Sequence, residues 1–132
     1  MKKLIIIIIL GLLVVSCSDD RLETKELIGK WSWLSSSGGI AGTTYTPENT
    51  GDNIVIEFTP DSVFRRYLND SLVMESKFSI QSFESITDHE STPMLVFDPG
   101  YMRQSFEFVS PNELVLLDEV YDGFVSHYRR KN

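Results

Sequence analysis

Arg65 and Arg66 stand side by side in an apolar-rich stretch, Val63-Phe64-Arg65-Arg66-Tyr67-Leu68. Side chains alternate faces along an extended chain. One arginine therefore shares a face with Phe64 and Leu68, the other with Val63 and Tyr67. A guanidinium held among large apolar groups can grip a carboxylate or another anion through two parallel hydrogen bonds. Arg66 is the stronger candidate, because Phe64 and Leu68 are the more apolar companions. Trp33 and Tyr45 are the aromatic candidates for lining the same ligand-binding space. The alternative is an arginine at a strand end that snorkels to water or pairs with a structural acid.

Other chemistry-bearing residues are less well arranged. His89 sits in a polar segment, Asp88-His89-Glu90, and no second histidine lies at a spacing suited to a metal. His127 shares a strand face with Val125 and Arg129, which reads as a surface position. Gly38-Gly39-Ile40-Ala41-Gly42 is glycine-rich, but no helix pattern follows it, so no phosphate cradle is expected. No serine occupies a Gly-X-Ser-X-Gly elbow. Asp61-Ser62-Val63 and Asp70-Ser71-Leu72 resemble the Asp-Ser/Thr-aliphatic acceptor of Bacteroidota protein O-glycosylation, which makes Ser62 and Ser71 candidate modification sites. Both also read simply as turns entering strands. No enzyme activity, cofactor or metal is expected.

The 132 residues suit one domain, and 12 basic against 19 acidic side chains give a net charge of −7. That balance argues against nucleic acid as a partner. With 42% apolar residues and 15 aromatics, the chain can build a core. The single cysteine excludes a disulfide framework.

That cysteine, Cys17, follows Met1-Lys2-Lys3 and an apolar run over residues 4–15. The run is too short to span a bilayer and reads as a secretory signal. Val14-Val15-Ser16-Cys17 resembles the bacterial lipobox. The resemblance implies cleavage before Cys17 and acylation of its thiol and new amine. Each buried CH₂ adds about 0.8 kcal/mol of membrane affinity, so two or more chains make a stable anchor. Removing residues 1–16 takes Lys2 and Lys3 away and leaves 10 basic and 19 acidic side chains, a net charge of −9. Ser18-Asp19-Asp20 is similar to acidic export tags of Bacteroidota lipoproteins, and equally suits a solvated tether. The expected organisation is a signal peptide over 1–16, a lipidated tether over 17–24 and a barrel domain over 25–132.

The elements that must position these residues are mostly strands. Residues 19–29 alone lean helical, with Leu22, Leu27 and Ile28 as a short stripe. Period-two patterns such as Ile54-Val55-Ile56-Glu57-Phe58 and Gln104-Ser105-Phe106-Glu107-Phe108 predict half-buried strands. The predicted strands cover 30–36, 53–59, 62–69, 72–81, 83–87, 93–98, 102–109, 113–119 and 123–130. Short connections favour antiparallel neighbours, so eight or nine strands predict an all-β up-and-down barrel. The one long connection, 35–52, is expected to lid its mouth.

Gly29-Lys30-Trp31, at the start of the first strand, resembles the Gly-X-Trp signature of lipocalins. More closely, the layout resembles lipocalin-like lipoproteins of Bacteroidota. The resemblance implies that Trp31 plugs the closed end of the barrel, with Arg129 or Arg130 packed over its ring as a cation–π contact. Arg130, Gly29 and Trp31 are the expected closure residues. The larger members' Thr-Asp-Tyr signature and C-terminal helix are absent from this sequence.

Together these features predict a monomeric, lipid-anchored outer-membrane protein, on the periplasmic or cell-surface face, that binds a small apolar or amphipathic ligand. The alternative is a filled barrel serving as a protein-interaction or accessory module of a cell-surface complex. Bulky inward candidates, Trp33, Ile54, Ile56, Phe58, Phe78, Phe106, Phe108 and Phe124, point to a small cavity or none.

Overall fold

The computed structural model describes residues 20–100 and 102–132, so Cys17 and the predicted leader lie outside the described residues. The chain runs α1 (Asp20–Leu27), β1 (Gly29–Gly38), β2 (Thr43–Tyr45), α2 (Pro47–Thr50), β3 (Ile54–Phe58), β4 (Val63–Leu68), β5 (Ser71–Glu84), β6 (Ser91–Asp98), β7 (Gln104–Ser110), β8 (Glu113–Asp118) and β9 (Phe124–Lys131). Strands pair in the order β2-β1-β3-β4-β5-β6-β7-β8-β9, and β1 also pairs with β9. That last pairing closes eight antiparallel strands into a barrel, with β2 as an extra strand on the tip of β1. Closure satisfies edge groups that an open sheet would leave unpaired.

Two expected boundaries are corrected. Residues 83–87 are not a separate strand, because β5 continues through Glu84 and Phe83 pairs with Thr92. The ninth strand is instead β2, inside the connection expected to be a loop. There α2 is stabilised by a capping box, in which Thr46 and Asn49 each bond the other's backbone N–H.

Alternation along the ladders sets the interior. In register, Phe58 faces Phe64, Ile56 faces Arg66, and Ile54 faces Leu68, so Arg66 points inward. Phe58, Phe64, Phe78 and Phe97 form a continuous aromatic cluster, with ring centroids 4.8–5.3 Å apart in successive pairs. Offset and edge contacts of this kind suit the ring quadrupoles. Parts of the outer face are covered too. Met94 and Val115 are buried although they alternate with the inward Leu95 and Leu114. Nearby, the β5–β6 connection is tied to the barrel. Ile86 N–H donates to Glu119 at 3.2 Å, and the Arg103 guanidinium lies 4.1 Å from the Phe83 ring centre.

The closed end is held by Trp31. Its ring is fully buried and its Nε1–H donates to the Leu27 carbonyl at 2.8 Å. This bond ties the end of α1 to the first strand and leaves no orphan indole proton. The Arg130 guanidinium stacks 4.1 Å from the ring centre. It also donates to the carbonyls of Pro111, Ile28 and Glu26 at 3.1, 3.0 and 2.8 Å. Arg129 takes no part and lies 3.8 Å from Glu113 with its side chain mostly exposed. Gly29 has φ +128°, and a Cβ there would sit 3.1 Å from Arg130 Nη1. Glycine thus supplies both the turn and the room for the arginine.

Replacing Trp31 by alanine would remove the plug and leave α1 without its anchor. The expected loss is about 3–5 kcal/mol, measured by chemical denaturation, as for other buried aromatic truncations. A loss below about 1 kcal/mol would show that the closed end is held by other contacts.

Candidate functional site

Above the aromatic cluster the barrel opens into a cavity of about 400 Å³. Its wall includes Trp33, Ile54, Arg66, Gln104, Asp118 and Tyr128. Ser36, Phe124 and Ser126 add to it, and Tyr45, Thr50 and Asp52 come from the long connection. That connection therefore builds part of the mouth's wall. A space of this size lies within the usual range of small-molecule sites. Of the two expected outcomes, a small cavity or none, the structure has the first, and the reason is where the bulk sits. Phe58, Phe64, Phe78 and Phe97 fill one end, whereas the inward positions toward the mouth carry Ser36, Gln104, Asp118 and Ser126.

The strands position these groups in register. Asp118 follows Leu114 and Leu116 on the inward face of β8. Gln104 pairs with Asp118 across the β7–β8 ladder, and its Nε2–H donates to Asp118 Oδ1 at 2.8 Å. Phe124 N–H donates to Asp118 Oδ2 at 3.2 Å. The carboxylate is thus fixed as an acceptor by a strand neighbour and by the incoming β9.

A second network lies on β1 and β9. Trp33 Nε1–H donates to Ser36 Oγ at 2.8 Å, and Ser36 and Ser126 hydroxyls share a hydrogen bond at 2.7 Å. Two hydroxyls carry two protons, and one bond between them uses one. Whichever serine donates, one hydroxyl proton of the pair stays uncommitted among these contacts. The bulge between Trp33 and Ser35 in the β1–β9 ladder turns Ser36 to the inside beside Ser126.

Arg66 is the outlying group. It is half-buried, lines the mouth cavity, and also lines a small pocket of about 20 Å³ with Ile56, Phe64 and Met74 on its own side and Gln104, Leu116 and Tyr128 from the facing strands. It makes no hydrogen bond or ion pair to any of the described residues. Its neighbour Arg65 behaves oppositely. Arg65 faces outward and bonds Glu75 at 2.8 Å and Glu57 at 3.0 Å. Glu75 first, then Glu57, holds its pKa above the ordinary arginine value. Adjacent residues of one strand thus divide into a paired surface arginine and an unpaired interior one.

The remaining sequence candidates lie elsewhere. His89 is exposed, 3.2 Å from Glu84. His127 lines a shallow groove on the outside of the barrel with Leu34 and Val109. Ser62 and Ser71 are exposed at turns entering β4 and β5, with Ser62 at φ +65°. Among the described residues no group of three or more histidine, cysteine or acidic side chains is placed to hold a metal. Gly38 to Gly42 form the turn between β1 and β2, with Gly42 N–H donating to Gly39 O at 3.1 Å.

Sequence reasoning missed Gln104 and Asp118 as site residues, and also Ser36 and Ser126. A signal was present in parity. Gln104 shares a face with Phe106 and Phe108, and Asp118 shares one with Leu114 and Leu116. A polar residue ending an apolar face marks the place where a barrel interior turns wet.

No family model and no curated protein matches this chain. Among solved structures it is similar to a de novo designed fluorescence-activating β-barrel. The match has a TM-score of 0.45 and 15% identity, and covers 82% of this chain and 96% of that one.

The rim of the mouth is sensitive at Gly38, whose φ is +148°, and where a Cβ would meet the Gly123 carbonyl oxygen at 2.3 Å. Gly38→Ala is expected to destabilise the protein by about 1–3 kcal/mol through forced backbone strain and displacement of the β8–β9 turn. Thermal and denaturant unfolding would check this. A change under about 0.5 kcal/mol would show that the rim relaxes freely.

Proposed function

We propose that this protein is a lipid-anchored binding protein of lipocalin type. In this reading it takes up a small amphipathic ligand with an acidic head in its mouth cavity. The observation that carries this is the combination at the mouth: an interior of about 400 Å³ and an inward Arg66 without a partner among the described residues. Taking part of a cation's solvation away without supplying a counter-charge is unfavourable. A ligand carboxylate docking on the guanidinium fork would relieve that cost and gain bidentate hydrogen bonds. Trp33 and Tyr128 offer apolar surface for the ligand's body. The Gly29-Lys30-Trp31 start with Arg130 stacked on Trp31 supports the lipocalin resemblance.

The anchor is the second part of the reading. An acylated Cys17 would join the barrel through α1, whose last residue is buried at the closed end. Tethering by that end would leave the mouth facing away from the bilayer, at the outer membrane's periplasmic or external face. Ligand would then exchange with the aqueous phase rather than directly with lipid. Cys17→Ser is expected to abolish labelling by a fatty-acid probe and release the protein from membranes, or block its processing. Undiminished labelling and retention would contradict the anchor.

For the ligand, the test is a calorimetric screen of fatty acids and other amphipathic carboxylates against the full chain and Arg66→Met. Arg66→Met is expected to weaken carboxylate binding at least tenfold with the fold intact. Equal binding by both proteins would remove Arg66 from the site. An interaction module of a surface complex would then be the better reading. It is favoured by the exposed Ile40 on the β1–β2 turn and Tyr121 on the β8–β9 turn, 94% and 84% accessible.

A further inference from the structure

Opposite charges face each other across the mouth cavity without meeting. Arg66 is on β4 and Asp118 is on β8. Around the closed barrel, β4 and β8 are separated by β5, β6 and β7 on one side and by β9, β1 and β3 on the other. They are diametrically opposed walls. Arg66 makes no ion pair, so the cavity holds the two charges apart.

The two walls differ in their hydrogen-bonding character as well as their charge. The β8 side is an acceptor surface. Asp118 is locked by Gln104 Nε2–H and Phe124 N–H, which fixes its direction and leaves lone pairs over. Gln104 itself is buried, with its donor aimed at Asp118. Phe124 stands beside this carboxylate in the cavity wall, with Ser126 and Tyr128 further along β9. An aromatic surface next to a carboxylate suits an ammonium group, through the ring's negative face and the charge together. Arg66 is the one cationic group in the cavity wall, and its donors suit a carboxylate, while a second carboxylate, Asp52 of the long connection, lines the same cavity.

We propose that the ligand is dipolar: a small molecule with an apolar or aromatic body, an acidic group that meets Arg66 and an ammonium or other cationic N–H group that meets Asp118. This rests on the carboxylate-binding reading and sharpens it. A ligand acid alone would satisfy Arg66 and leave Asp118 facing the apolar body, a costly placement for a charge. A dipolar ligand satisfies both walls at once. Binding of a like-sized molecule lacking either end would forfeit one charge-assisted contact and leave one wall unpaired, which is the strongest form of discrimination such a site offers.

Three probes of one shape test this on the full chain by calorimetry: para-(aminomethyl)benzoate, para-methylbenzoate and para-methylbenzylamine. The dipolar probe is expected to bind at least tenfold tighter than either singly charged analogue. Asp118→Asn should remove its advantage over para-methylbenzoate, and Arg66→Met should remove its advantage over para-methylbenzylamine. If Asp118→Asn does not fold, the comparison of the three probes on the unaltered chain still decides the matter. Equal binding of para-methylbenzoate and the dipolar probe would overturn the dipolar inference and leave the carboxylate reading standing. Tighter binding of para-methylbenzylamine than of either carboxylate would overturn both, as would the absence of binding by all three.

Discussion

The stack of Arg130 on Trp31 is the contact on which the architecture turns. One guanidinium bonds carbonyls from the β7–β8 turn, from the last turn of α1 and from the residue joining α1 to β1, while its face covers the indole. Four separate pieces of chain are fastened at one point. Strand pairing alone would close the sheet, but it would not decide which end is sealed. The indole does so, because its N–H is satisfied by Leu27 and its ring is wholly out of water. With Arg130 half-buried, a cation–π contact of this kind is worth about 0.5–2 kcal/mol. Against a total margin of about 5–15 kcal/mol for a domain, that adds to the hydrogen bonds the same guanidinium makes.

Sealing one end forces the chemistry to the other. Inward side chains converge on the axis of a closed eight-stranded barrel, and their bulk decides whether the axis is filled. Aromatic residues from β3, β4, β5 and β6 fill it beside the plug. Toward the mouth the inward residues are smaller and polar, and they bond one another along two walls: Gln104 with Asp118, and Trp33 with Ser36 and Ser126. These bonds hold side chains in place before any ligand arrives, which lowers the ordering cost of binding. Arg66 is the exception to this self-satisfaction. A scaffold that pairs Arg65 with two glutamates on the outside leaves its sequence neighbour open on the inside.

Much of the barrel is legible in the sequence because its strands alternate cleanly. Ile54, Ile56 and Phe58 read as one face, and turn residues punctuate nearly every connection. Arg66 could be assigned inward from the same parity, and the Gly29-Lys30-Trp31 start locates the closed end. What escaped was non-local. Thr43–Tyr45 is too short to show a period, and it is a strand only because the tip of β1 offers an edge. Ser82 read as an interruption, yet β5 runs through it because it pairs with Pro93 of β6. Cavity volume is set by which residues meet across the barrel, so a list of large inward side chains could not decide between a small cavity and none. Met94 and Val115 are buried on the outward face, which alternation cannot foresee.

The central claim is that Arg66, inward-facing and without a hydrogen bond or ion pair among the described residues, is a free cation awaiting an acid inside the barrel. The most direct measurement is an NMR titration that follows the arginine Nε–Hε resonances while an amphipathic carboxylate such as decanoate is added. Arg66 is expected to shift saturably and with one-to-one stoichiometry, with Arg130 unmoved beneath Trp31 and Arg65 held by its glutamates. A silent Arg66, or shifts spread over the surface arginines without saturation, would contradict the claim.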